Sequence, residues 1–191
     1  MIFKYLKHIE LPFKSRNTTW SICPYTGSLL QEDTTILKQQ INIPDKVARA
    51  LEYCNYPYSC KVNIEPKLCL SETKINQLNK MSEKILQIGN KRFYMTRLYS
   101  CIKNKLFKNT GEAISCINSL SINKKLRHQL CLQRAFLASK VSESFDDKGV
   151  IFIGAFLPTG DMHAWIIEDG MQPDPEDRIW INYRPLLAFY R

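Results

Sequence analysis

Cys131, His163 and two later aspartates, Asp174 and Asp177, are the residues whose types and order could support nucleophilic chemistry. A thiol is mostly protonated near neutral pH, and the thiolate is the nucleophile. An imidazole within hydrogen-bond reach takes the proton and later returns it to a leaving amine, and a carboxylate behind the ring fixes its tautomer. A cysteine at a helix start gains from the partial positive charge there. Backbone N–H groups at the same place can hold a developing oxyanion. Singly, each residue is weak evidence, because a cysteine is more often an inert buried side chain and a strand histidine more often structural. The order cysteine, helix, strand with histidine, turn, aspartate is what gives the set weight. His128, three residues before Cys131, is a rival base, but it lacks the strand and the following carboxylate. Asp177 rivals Asp174, while Asp169 follows His163 closely and reads as a turn residue.

Three elements must position these groups. Cys131 opens a helix in which Leu132, Phe136 and Leu137 recur at near-helical spacing. Gly149 breaks the chain, and Val150 to Leu157 is an apolar run rich in β-branched and aromatic residues, which reads as a strand. Pro158, Thr159, Gly160 and Asp161 spell a turn. Met162 to Glu168 is a second strand with His163 and Trp165 on one face, and Asp169-Gly170 is a tight-turn signal. In the last stretch Ile179, Trp180, Ile181 and Tyr183 suggest a closing strand, with Pro185 setting the tail.

The segment Cys131, Leu132, Arg134, Ala135, then Gly149 to Gly154, His163-Ala164-Trp165, Gly170 and Asp174 resembles the C-terminal domain of lasso-peptide leader peptidases, the B proteins of lasso-peptide gene clusters. Upstream, Trp20 to Leu30 resembles the start of the same family's N-terminal region. The resemblance implies an α+β protein: a small winged-helix-like leader-recognition domain over residues 1–85, then a papain/transglutaminase-like cysteine peptidase domain over 86–191. It implies Cys131, His163 and Asp174 as the triad, with the leader of a precursor peptide as substrate and an asparagine-synthetase-like cyclase as partner. It also implies that the leader binds by adding a strand to a sheet edge. An acyl or amine transferase working through a Cys131 thioester uses the same triad and stays open, as does a non-catalytic basic adaptor or nucleic-acid-binding protein, although nucleic acid is not the expected partner.

The remainder of the chain sets bounds. Its 191 residues have room for one sizeable core or two small ones. The seven cysteines are irregularly spaced with no Cys-x-x-Cys, so neither a zinc site nor a disulfide framework is expected. No metal or other cofactor is expected, and no phosphate-binding loop is present. The apolar runs are too short for a membrane span, and the first residues lack a secretory pattern; reduced thiols in a cytoplasm are the expectation. The net charge of +9 is concentrated between Lys80 and Arg127, where eleven basic residues face two acids. Such a segment is either a solvated helical face or a surface for an anionic partner. Helices are expected after Pro44-Asp45, from Ser71 to near Gly89, over Arg92–Lys108 and over Glu112–Leu120, with strands and turns in residues 1–30.

Overall fold

A computed structural model describes residues 6–33, 41–55, 61–62, 71–87, 105–119, 131–174, 177 and 179–191. Within them the fold is α+β. The elements in order are β1 (Lys7–Glu10), β2 (Phe13–Ser15), β3 (Thr18–Ile22), β4 (Leu29–Asp33), α1 (Asp45–Asn55), β5 (Lys61–Val62), α2 (Glu72–Gln87), α3 (Thr110–Ser119), α4 (Cys131–Val141), α5 (Phe145–Lys148), β6 (Gly149–Phe156), β7 (Asp161–Glu168), β8 (Met171–Gln172), a 3-10 turn (Trp180–Asn182) and β9 (Arg184–Tyr190).

The central sheet has the order β1-β9-β6-β7-β8-β5. Its neighbours run antiparallel, except that β5 and β8 are parallel. The β6–β7 hairpin is its longest pairing, from Gly149↔Glu168 to Phe156↔Asp161. Both strands read as continuous apolar runs because both faces of the sheet are covered. On one face Ile151, Ile153, Ala164 and Ile166 pack with Phe136 and Leu137 of α4 and with α2 and α3. On the other, Phe152, Trp165 and Ile167 pack with Val47 and Ala50 of α1. The turn after β7 puts both Asp169 (φ 51°) and Gly170 (φ 76°) in the left-handed region. That is the two-residue turn whose twist suits an antiparallel pair.

Residues 13–33 form a second, three-stranded antiparallel sheet, β2-β3-β4. It has no core of its own: Ile22 is fully buried in the cluster that α4 and the central sheet share, and Phe13, Trp20 and Leu29 lean on that cluster. The anticipated boundary near residue 85 does not separate two cores. β1 pairs with β9, His8 facing Phe189, and α1 lies on the central sheet.

The closing strand also differs from expectation. Trp180 is buried, and residues 180–182 wind into a 3-10 turn, so the strand starts only at Arg184. The anticipated helix over Arg92–Lys108 lies mostly outside the described residues, and its tail is not helical: Phe107 bridges to Ser142 after the end of α4. The basic segment from Lys80 lies largely outside them too. Among the described residues no helix is long and apolar enough to cross a membrane.

Candidate active site

α4 starts at Cys131, so the thiol sits on the first turn, and from Gln133 onward every residue of the helix is buried. A helix covered on all sides is held by its neighbours, which fixes where its first residue points. Cys131 itself is half-buried. β7 supplies His163, buried at 7% exposure, in register with Gly154 of β6. That glycine is required: a Cβ there would meet the Arg184 carbonyl oxygen at 2.3 Å and the Trp165 ring at 2.8 Å. The backbone of β9 and the aromatic ring thus close in where a side chain would otherwise stand.

His163 Nε2 lies 2.7 Å from Asp177 Oδ2. The Nε2–H therefore donates to the carboxylate, which leaves Nδ1 for the thiol. Cys131 and His163 act on each other electrostatically, the ring lowering the thiol's pKa and the thiol raising the ring's. Cysteine, histidine and aspartate thus meet at one site, the last two joined by a hydrogen bond. Trp165 stacks on the His163 ring at 6.1 Å with 13° between planes, and Tyr183 approaches it at 5.1 Å. Both rings restrict the imidazole and keep water from it.

The electrostatics favour charge separation. Burial pulls the His163 pKa down, but the hydrogen bonds and charges of Asp177 and Cys131 outweigh it, and the imidazole is pushed up to about 9. Burial works against the thiolate as well. The hydrogen bond and charge of His163, the Ala164 backbone N–H and the Arg134 charge outweigh it, so Cys131 titrates below the ordinary 9.0. Both directions favour the thiolate–imidazolium pair over the neutral pair. Cys116 behaves in the opposite way: burial and then Glu112 push its thiol up to about 11.

Of the acids expected here, the structure brings Asp177 to His163 and places Asp174 elsewhere. Asp174 Oδ2 is 2.8 Å from Arg134 on α4, and its Oδ1 accepts from Asn118 of α3 at 3.2 Å. The carboxylate against His163 is thus Asp177, and Asp174, anticipated there, is not at the ring. The physical reason is local. Gln172 Oε1 accepts the Asp174 backbone N–H, and the Asp177 N–H bonds back to the Asp174 carbonyl. This turn directs residue 174 towards the helices and residue 177 towards the strand. Gln172, with 1% exposure, was absent from the sequence reading. Its place two residues past a Gly turn was the only available signal. His128 lies outside the described residues, and His8 sits on β1 beside Tyr25 and Phe189.

No cluster of three or more His, Cys, Asp or Glu side chains among the described residues could hold a metal ion. A small recess of about 10 Å³ lies beside the thiol, lined by Cys131, Arg134, Ala135, Trp165 and Asp177 among others. No protein-family model, no curated protein and no solved structure matches this chain.

Proposed function

We propose that this chain is a cysteine peptidase that works through a covalent thioester. The observation that carries the reading is the buried His163–Asp177 hydrogen bond beside Cys131, whose thiol pKa His163 lowers. The Cys131 thiolate attacks a peptide carbonyl carbon, and the carbonyl π pair moves to oxygen. On this reading backbone N–H groups at the start of α4 receive that oxyanion. Collapse of the tetrahedral species breaks the C–N bond, and the Nδ1–H of His163 passes to the departing nitrogen. The product is an acyl-Cys131 thioester and a free amine. Neutral His163 then takes a proton from water, the hydroxide adds to the thioester, and the acid leaves as Cys131 regains its thiolate.

The resemblance to lasso-peptide leader peptidases narrows the substrate to a ribosomally made precursor cut at its leader–core junction, with an asparagine-synthetase-like cyclase acting on the product. The small sheet supports a recognition role on this reading: β4 is an edge strand, exposed from Leu30 to Asp33, and an edge strand can accept an extended peptide. The reading is tested with a proteome-derived peptide library and mass spectrometry. Wild-type protein should cleave it and carry acyl adducts on Cys131, and Cys131→Ala should do neither. Retained cleavage by the purified variant would remove Cys131 from the mechanism. For the narrower substrate, the check is cleavage of a precursor encoded beside this chain, together with a cyclase-like gene.

A further inference from the structure

The imidazole of His163 is one member of a chain of rings. Phe156 meets Tyr183 with 6.3 Å between centroids, Tyr183 meets His163 at 5.1 Å, and His163 meets Trp165 at 6.1 Å. Trp165 in turn meets Phe152 at 5.8 Å and Trp180 at 6.2 Å. The two ends of the chain differ. Phe152, Trp165 and Trp180 are buried in the core, so packing fixes them. Tyr183 is half-buried and Phe156 is exposed.

Tyr183 reaches the imidazole across a strand. It stands just before β9, and β6 lies between β9 and β7. Adjacent strands are about 4.8 Å apart, so a side chain from the start of β9 must cross the width of β6. Gly154 pairs with His163 on one side and with Pro185 on the other, and it adds no side chain to that crossing. The Tyr183 backbone N–H donates to the Trp180 carbonyl oxygen at 3.1 Å, which ties the ring to the buried turn before it.

A cation within about 6 Å of an aromatic centroid is attracted by the π electrons, and a neutral ring gains much less. Aromatic neighbours at these distances therefore favour imidazolium over imidazole. The charged and titratable groups around the ring are few. Asp177, after β8, and Cys131, on α4, act on it directly. Arg134 of α4 acts on the thiol, and Asp161 at the start of β7 acts on Tyr183. Arg184 places its guanidinium 4.3 Å from the centroid of the Phe13 ring.

We propose that Tyr183 is a positioning residue whose ring, together with that of Trp165, holds His163 in place as the imidazolium. Its part in catalysis rests on the peptidase reading, whereas its effect on His163 is a property of the protein without substrate.

The test is a proton NMR titration of the full chain with no substrate present. The chain has three histidines, and the signal absent from His163→Gln identifies His163. Tyr183→Leu and Tyr183→Met fill similar space without a π face. Each should lower the pH at which His163 titrates by about half a unit. Tyr183→Phe keeps the ring and should stay close to wild type. The alkaline limb of library cleavage should move in the same order. An unchanged titration in both ring-free variants would overturn the proposal. So would a Tyr183→Phe protein that behaved like Tyr183→Leu, because the hydroxyl and not the ring would then be acting. A wild type that cut no peptide would remove the peptidase reading alone. A lowered titration in the ring-free variants would then still support the hold on His163, and an unshifted one would overturn it.

Discussion

Two aspartates three positions apart divide two tasks, and the division can be measured. Asp177 holds the imidazole, so its loss should act on rate. In a serine-protease triad the corresponding amide costs about 10⁴-fold, and Asp177→Asn is expected to slow library cleavage by at least about 10²-fold with a near-unchanged melting temperature. Asp174 pairs with Arg134 where both side chains are under 10% exposed. Removing one partner of a buried pair strands the other charge at a cost of about 3–5 kcal/mol. Asp174→Ala should therefore lower the melting temperature far more than Asp177→Asn does. The opposite pattern in thermal melts and cleavage rates would return the orienting role to Asp174. The pH profile follows from the same contacts. Chemistry needs the thiolate together with the imidazolium; activity should fall on the acid side as Cys131 is protonated, at a pH below 9.0. It should fall on the alkaline side as His163 loses its proton near pH 9. Asp177 is the largest of the influences raising His163, so Asp177→Asn should move the alkaline limb to lower pH. An alkaline limb that stayed in place would mean that Asp177 does not set the charge of the ring. That Cys131 opens a helix and His163 lies on a strand of the following hairpin was legible in sequence from residue type and element order. The choice of acid was not, because it depends on how Gln172 folds the turn, a contact that no spacing encodes.

At the scale of elements, the hairpin that carries His163 tolerates little change where its neighbours close in. Gly154→Ala places a methyl group against the Arg184 carbonyl and the Trp165 ring. Backbone cannot retreat as a flexible side chain does, and overpacking of this kind costs about 1–3 kcal/mol. Chemical denaturation should show that loss, together with slower cleavage, since Trp165 stacks on His163. A Gly154→Ala protein as stable as wild type would mean that β9 yields there. The helices after Pro44 and Ser71 and the β6–β7 hairpin were legible from their periodicity and turn residues. The start of α3 was anticipated at Glu112 and lies at Thr110. Asn109 Oδ1 accepts the Glu112 N–H, and Glu112 reaches back to the Lys108 N–H. This reciprocal pattern is close to a capping box, and Asn109-x-x-Glu112 announced it. The first N–H of the helix goes to the buried carboxylate of Glu168, far away in sequence, which no local pattern could reveal. The closing strand was misplaced because Ile179 to Tyr183 has strand-like residue types, whereas burial of Trp180 between α1 and the sheet prefers a turn.

At the scale of the whole molecule, the parts assigned to separate halves are woven together. The resemblance implied a boundary at residue 85, close to where the basic segment from Lys80 begins. Composition reports charge and propensity, but it does not report that Lys7 faces Tyr190 across a sheet. Because β9 lies between β1 and β6, it has a consequence for the timing of synthesis. The ribosome delivers Cys131, His163 and Asp177 in order, yet the strand that unites β1 with β6 emerges after all three. Contacts between such distant parts of a chain form slowly. Until they form, Gly154 has no β9 backbone beside it and His163 lacks the Tyr183–Arg184 corner. A nascent chain arrested at Asn182 and held clear of the exit tunnel should therefore contain every member of the triad but react with iodoacetamide at pH 7 no faster at Cys131 than an ordinary thiol does. The same chain extended past Arg191 by a linker should label rapidly. Equal labelling of the two would mean that the thiolate forms before the sheet closes. The expected difference means that this thiol stays silent until β9, which leaves the ribosome after all three residues, has joined the sheet.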